Sequence, residues 1–247
     1  MSLAESLDIL FEDNHCLALN KPSGWPTTHF DGTEETFDRL AKSYLKEKYD
    51  KPGKVFLGVV HRLDKPVSGV VIFARTSKAA ARLSEQFRDG AVEKVYWAIV
   101  KQTDRLAARG AQRPERDLAP AGTFENWLAK DEPKRMVETV SRESPGAQHA
   151  LTHYHVRSRH DGLIMLELRP QTGRKHQLRV QLSSRGYPIY GDAKYGSPHT
   201  FGPAIALHAR VLTFLHPTKH EPITLTAVLP RPWLGRFAHL LKPEAAR

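Results

Sequence analysis

Apolar and polar positions alternate along this chain in short runs, and the period switches several times between two residues and about 3.6. Cys16-Leu17-Ala18-Leu19-Asn20 reads as a strand, and the turn-forming Lys21-Pro22-Ser23-Gly24 breaks it. Asp31 and Glu34 resemble a capping box. Phe37, Leu40, Ala41, Tyr44 and Leu45 then follow at the spacing of an amphipathic helix, which Lys51-Pro52-Gly53 ends. Val55 to Val60 and Val70 to Arg75 predict two strands, so the polar His61-Arg62-Leu63-Asp64-Lys65-Pro66 between them is a loop. Ser77 is placed to cap a second helix with Ala80, Leu83 and Phe87 inward, and Gly90 supplies its left-handed stop. Val92 to Val100 is the next strand.

Residues 101–120 are Arg-, Ala-, Gly-, Gln- and Pro-rich and keep neither period, which predicts a basic surface insertion. Arg105, Arg109, Arg113 and Arg116 are placed there to touch phosphates, if the insertion is more than a neutral loop. Asp161-Gly162 between Leu151–Arg159 and Leu163–Arg169 is a hairpin signal. Thr172 is expected to cap a helix running to about Arg185 and stopping at Gly186, and two further strands flank His216-Pro217-Thr218-Lys219. There is no internal repeat and no linker. The order of hairpins and irregularly spaced helices predicts an α+β fold with a mixed, mostly antiparallel central sheet, in one domain over residues 1–247.

Composition narrows the classes. Forty per cent of residues are apolar and 26% charged, and no run approaches the roughly 18 apolar residues that read as a membrane span. Disorder, coiled coil and a helical membrane protein are excluded. With one cysteine, Cys16, no intramolecular disulfide or thiolate cluster can form, and Met1–Leu10 carries Glu5 and Asp8 where a secretory signal would be basic then apolar. A cytoplasmic, monomeric protein is expected. Lys and Arg number 37 against 27 acids, a net charge of +10 without a basic tail, so the charge sits on folded surface and suits a phosphate backbone.

Asp64, with Arg62 beside it, lies in a tight loop flanked by apolar strands, which holds a carboxylate rigidly at the edge of a core. An Asp in a turn is more often a structural acceptor of backbone N–H groups, so position alone assigns it no catalysis. The second cluster is Arg169-Pro170-Gln171-Thr172-Gly173-Arg174-Lys175-His176-Gln177-Leu178-Arg179. Free N–H groups at a helix start there, with Arg174 and Lys175, suit a phosphate. Arg179, one turn beyond Lys175, has Leu178, Val180 and Leu182 around it, and an inward-turned Arg needs a carboxylate partner. Asp64 is the candidate.

Taken with their flanks, these clusters resemble the RluA-type family of pseudouridine synthases. The likeness runs through Lys21-Pro22-Ser23-Gly24, His61-Arg62-Leu63-Asp64 with Ser68-Gly69, Glu93-Lys94-Val95-Tyr96, Thr172 to Arg179, Gly191-Asp192 with Tyr195-Gly196, and Leu207-His208-Ala209. Each piece is short, but their shared order is specific. The resemblance implies the pseudouridine synthase fold and structured ribosomal or transfer RNA as partner. Asp64 would be the catalytic aspartate, Tyr96 would stack on the target base, Arg179 would pair with Asp64, and Arg62 would fill space near the flipped nucleotide. Arg174, Lys175, Leu178 and the turn residues Lys134 and Arg135 are assigned to substrate contact.

Chemistry agrees with these roles. The reaction breaks the N1–C1′ bond and joins C5 to C1′ with no change of composition, so no metal, ATP or redox cofactor is expected. An Asp beside an Arg stays ionised, because the opposite charge lowers a reference pKa of about 3.9. Attack at C1′, addition at C6 and base chemistry at C2′ all make Asp64 indispensable. A glycosidase would need a second carboxylate and water, and no second acid stands in an equivalent motif. The target base must be flipped out, for which Tyr96 is a platform.

Two other readings stand beside this one. A non-catalytic RNA-binding or ribosome-assembly protein would share the basic surface and Tyr96 without needing an ionised carboxylate. A metal-dependent hydrolase would rest on His149, His153 and His155, with His160 nearby. His61 is read as orienting its loop, and Cys16 as core. Only 20 residues precede Lys21, so no N-terminal S4 domain is expected, and Gln148-His149-Ala150-Leu151-Thr152 departs from the family's usual Lys-Pro-Ala-like strand entry.

Overall fold

The computed structural model describes residues 7–28, 35–103 and 118–241. The capping box of Asp31 and Glu34, and Arg105, Arg109, Arg113 and Arg116 of the basic insertion, lie outside the described residues. The chain groups into two compact units, Met1–Lys94 with Ala209–Leu229, and Val95–His208 with Pro230–Arg247.

The first unit contains β1 (Ile9–Glu12), β2 (Cys16–Lys21), α1 (Phe37–Lys48), β3 (Gly58–Val59), β4 (Ser68–Ala74), α2 (Ser77–Arg88), most of β10 (Leu207–Leu215) and β11 (Pro222–Thr226). β2 pairs with both β1 and β4, β3 with β4, and β10 with β11, all antiparallel. β4 is buried at all seven positions, so both faces of its strand are core and its sequence reads as one apolar run. Period-two alternation divides that core. Cys16, Ala18, Val70 and Ile72 face Ala79 and Leu83 of α2, whereas Leu17, Leu19, Val71 and Phe73 face Phe37, Ala41, Tyr44 and Leu45 of α1. Each large side chain buried this way contributes about 1.5–3 kcal/mol.

Two expectations need correction here. The cap of α2 is Thr76, extended at φ −136°, whose Oγ1 accepts the Ala79 N–H at 3.1 Å, and Ser77 is already helical. The strand expected over Val55–Val60 shrinks to Gly58–Val59. Val55 and Leu57 pack against the α1 cluster, but only those two residues come into register with Ala74 and Phe73.

The second unit holds β5 (Glu93–Lys101, from Val95 onward), β6 (Ala121–Asp131), β7 (Met136–Val140), β8 (Gln148–His160), β9 (Leu163–Pro170), α3 (Gln177–Ser183), α4 (Arg231–Arg236) and α5 (Ala238–Leu241). The strands run in the order β5-β9-β8-β6-β7 and pair antiparallel. The β8–β9 hairpin turns on Asp161 and Gly162, both left-handed at φ 48° and 71°, as the Asp-Gly signal predicts. The α+β, antiparallel architecture read from the sequence is the one found. Helix α3 is much shorter than expected. It begins at Gln177, after His176 in a left-handed conformation, and Thr172 caps nothing: its hydroxyl accepts the Leu151 N–H and bonds Gln177 Oε1. No described helix is long and apolar enough to cross a membrane.

One contact and one buried charge in the first unit generate predictions. Gly69, at φ +117°, is the second residue of β4, and a Cβ there would lie 2.2 Å from the Ala209 carbonyl oxygen. Gly69→Ala is expected to cost about 3–5 kcal/mol in strain and overpacking. The thermal midpoint should fall by about 10 °C, and an unchanged midpoint would contradict this backbone contact. Lys21 is fully buried, and its Nζ donates to the carbonyls of Pro22 (3.0 Å), Trp25 (2.8 Å) and Lys65 (3.4 Å). Burial pulls its pKa from 10.5 down to about 7, while the charge of Asp64 pulls it back up. Between about pH 7 and 10.5 the unfolded chain therefore holds a proton that the folded chain has released. Stability should rise with pH across that window by at most about 1.4 kcal/mol per unit. Urea unfolding of Lys21→Met at pH 7 and pH 9 should show that slope removed.

Candidate active site

Asp64 belongs to the first unit and is half-buried on the loop between β3 and β4. The loop is fastened at successive residues. Leu63 is buried, and Thr27 Oγ1 both donates to its carbonyl (2.8 Å) and accepts its N–H (3.1 Å). The Lys65 carbonyl accepts the Gly24 N–H at 2.8 Å as well as the Lys21 ammonium, and the Asp64 carbonyl accepts the Val67 N–H at 3.0 Å. His61 Nε2 accepts the Ile72 N–H at 2.9 Å, and its ring stacks on Phe87 at 4.5 Å. Burial, with the Lys94 charge added, pulls the His61 pKa down to about 3. The imidazole stays a neutral acceptor that orients the loop, the role expected for it. Arg62 and Lys65 are exposed on either side of Asp64.

Tyr96 and Arg179 both belong to the second unit. Tyr96 sits on β5 opposite Leu168, which is opposite Tyr154 on β8. By alternation these side chains share one sheet face, on which Tyr154 stacks against Phe124 at 4.3 Å. α3 packs on that same face. Gln181 accepts from Thr152 Oγ1 (2.7 Å) and donates to the carbonyls of Phe124 (3.0 Å) and Ala150 (3.1 Å), while Val180 joins Leu128, Val137 and Ala150. All seven residues of α3 are buried, so Arg179 faces inward as its apolar neighbours predict.

The Arg179 guanidinium grips Asp192 with two bonds, Nε to Oδ2 at 2.7 Å and Nη2 to Oδ1 at 2.8 Å, and lies 4.9 Å from the centre of the Tyr195 ring. Tyr195 in turn bonds His176 Nδ1 at 2.7 Å and accepts the Val137 N–H at 3.1 Å. Sequence reasoning foresaw that a buried Arg179 needs a carboxylate and named Asp64 for it; it did not single out Asp192, which takes these two bonds. The Gly191-Asp192 motif was the signal. Lys21 was likewise read only as part of a turn.

The remaining residues divide by their surroundings. Arg174 and Lys175 are exposed ahead of α3, and Leu178 is buried within it. At the start of that helix two N–H groups are engaged internally: the Arg174 N–H donates to Gln177 Oε1, and the Gln177 N–H to the Arg174 carbonyl. Lys134 is held in the β6–β7 turn by Asp131 (2.7 Å) and Glu138 (3.0 Å), and the carbonyl of Arg135 accepts Lys194 Nζ. His149 is paired to Glu125 at 2.8 Å, and His153 Nδ1 bonds Thr123 Oγ1 at 3.0 Å.

Asp13, Cys16 and His216 place three donor atoms within 4.8 Å of one another. Their protonation does not suit a metal. His216 Nδ1 accepts the N–H groups of Lys219 (3.0 Å) and Thr218 (3.3 Å), so the ring proton is on Nε2 and is given to Asp13 at 2.7 Å. A metal on Nε2 would require an imidazolate. Burial, and then the Asp13 charge, push the Cys16 thiol up to about 12. The cluster is a structural fastening.

Comparison with known proteins fits this geometry. The family model described as RNA pseudouridylate synthase matches residues 15–184, a span that includes Lys21, Asp64, Tyr96 and Arg179. An uncharacterised RNA pseudouridine synthase of Bacillus subtilis, YhcT, is 37% identical over 227 residues, covering 91% of this chain and 69% of that protein. The tRNA pseudouridine synthase C of Haemophilus ducreyi is 33% identical over 254 residues, covering 94% of each. The solved structure of human RNA pseudouridylate synthase domain containing 4 superposes with a TM-score of 0.75 at 27% identity, covering 98% of this chain and 97% of that one. A model match across both sequence clusters, relatives alike over nearly the whole chain and a shared architecture lead to one conclusion: this chain belongs to the RluA-type RNA pseudouridylate synthase family, isomerases that act on RNA.

Proposed function

We propose that this chain converts uridine to pseudouridine in structured ribosomal or transfer RNA, with Asp64 as the catalytic carboxylate, Tyr96 as the surface on which the flipped base stacks, and Arg179 as the guanidinium that pairs with Asp64. Arg62 fills the space left near the flipped nucleotide, and Arg174, Lys175 and Leu178, with Lys134 and Arg135, contact the RNA. The enzyme works as a cytoplasmic monomer without metal or cofactor. The N1–C1′ bond breaks, the base turns, C5 bonds to C1′, and the proton lost from C5 is balanced by one gained at N1. Nothing else enters or leaves.

The observation that carries this reading is the mounting of Asp64. A half-exposed carboxylate rides on a loop that Thr27, His61 and the Lys21 ammonium fasten on both sides, so it meets substrate in a fixed position. In a chain with a net charge of +10 whose surface attracts phosphate, a fixed, half-exposed anion is a liability unless chemistry requires it. The Haemophilus relative is named as a tRNA pseudouridine synthase, which supports transfer RNA as a substrate.

Asp64→Asn is expected to lower pseudouridine formation about a thousandfold or more, a loss of about 4 kcal/mol of transition-state stabilisation. Retention of tRNA on a filter should stay within about threefold of wild type. Pseudouridine mapping of RNA treated with each protein checks the first result. Equal activity in the two proteins would remove Asp64 from the chemistry, loss of binding together with activity would make its role structural, and a wild-type protein that retains RNA without forming product would favour the purely binding role.

A further inference from the structure

The sheet of the second unit has two faces, and only one carries Tyr96 and α3. The other is built by the alternate residues of the same strands, in rungs about 7 Å apart. One rung joins Trp97, Glu167 and His155; the next joins Arg169, His153 and Thr123; two rungs further, His149 faces Trp127. His153, His155, Arg157 and Arg169 are exposed, and the two tryptophans are half-exposed. We propose that this face docks the sugar-phosphate backbone of the RNA, at a surface separate from the one that carries Tyr96. The proposal rests on the reading of the chain as an RNA-modifying enzyme.

Charge and aromatic placement select a polyanion. The carboxylates on these rungs are already held: Glu167 between Arg157 (2.9 Å) and Arg169 (2.8 Å), and Glu125 by His149 (2.8 Å). Two arginines share one acid at Glu167, which leaves a positive surplus. At opposite ends of the face a guanidinium lies over an indole, Arg157 over Trp97 at 5.1 Å and Arg142 over Trp127 at 5.4 Å. Guanidinium stacked on a ring keeps its N–H fork directed along the surface, where a phosphate takes two bonds at once. Half-exposed indoles also offer a stacking surface to any unpaired base alongside. A protein partner would be expected to bury an apolar centre, and the middle rungs of this face are Thr123, His153 and Arg169, then Glu125 and Leu151, with Leu151 the one apolar side chain among them.

The test uses full-length Asp64→Asn protein, so that binding is read without turnover, with unfractionated tRNA as probe. Replacing Arg142, Arg157 and Arg169 together by Gln should weaken filter-measured affinity about tenfold or more at 0.1 M salt and reduce the slope of log K against log salt by about 2–3. Affinity and slope both unchanged, in a variant whose thermal midpoint is retained, would overturn the proposal and leave the face solvated or covered by protein. Should the triple variant unfold, Thr123→Glu with His155→Glu places two new charges on exposed positions of the same face. Weaker tRNA binding by that pair is expected, and unchanged binding overturns the proposal. Because every readout is binding by a protein lacking the Asp64 carboxylate, failure here leaves the catalytic assignment standing. Unchanged activity of Asp64→Asn equally leaves the docking face untouched, and if Asp64→Asn itself loses tRNA the same substitutions are compared in the wild-type chain.

Discussion

A lysine ammonium with no access to water dictates the geometry around Asp64. Removing such a charge from solvent costs several kcal/mol, which the fold offsets in part by converging oxygen atoms on it and by the Asp64 charge, so that its pKa still falls to about 7. Three carbonyls converge on Lys21, from Pro22 and Trp25 on one turn and Lys65 on another, so the two segments must meet at one point. The turn that follows β2 and the loop that precedes β4 are neighbours in the sheet register, with Lys21 opposite Gly69. Gly69 lets the chain pass against Ala209 there, and no side chain larger than hydrogen fits. The carboxylate at position 64 inherits its rigidity from this arrangement.

The same constraint acts in the second unit with the charges reversed in role. Arg179 and Asp192 are each almost wholly buried, and each would be strongly destabilising alone, by about 3–5 kcal/mol. Two parallel bonds, with Tyr195 against the guanidinium plane, orient Arg179 completely. Gln177 and Gln181 add a satisfied polar network that fixes α3 to β8, and no buried side-chain polar atom among the described residues lacks a partner. A helix of seven residues would not hold its shape from propensity alone. Here it is held by side chains reaching the sheet.

This division explains what the sequence disclosed. Both long helices, the buried strands of the first unit and the Asp161-Gly162 hairpin were legible, because their signals are local: a 3.6 or two-residue period, and a turn that two left-handed residues favour. The start of α3 was not, since Thr172 has the right chemistry for a cap but spends its hydroxyl on Leu151 and Gln177. Strand β6 also escaped notice: its inward residues Phe124 and Leu128 are separated by Gln181-bonded backbone and polar positions that blur the alternation. Asp64, Tyr96 and Arg179 could be singled out by motif; Lys21 and Asp192 also lie in motif segments, but what each of them holds follows only from tertiary packing. Burial of an arginine announces that some acid is needed; choosing among 27 acids takes coordinates.

Period-two alternation has a functional consequence beyond the fold. Neighbouring residues on β5 and β8 serve opposite faces, Tyr96 beside Trp97 and Tyr154 beside His155, so one strand can supply both the proposed reaction surface and the proposed docking surface. The residues in contact with α3 are coupled through a hydrogen-bonded network, and changes among them are not additive. Those on the opposite face are joined by exposed ion pairs, each worth about 1 kcal/mol or less, by guanidinium–indole stacking and by the Thr123–His153 bond. Variation on that face is therefore cheap in stability. A family that keeps one reaction while changing its RNA would find there the positions where affinity can shift without moving the carboxylate loop or the buried arginine.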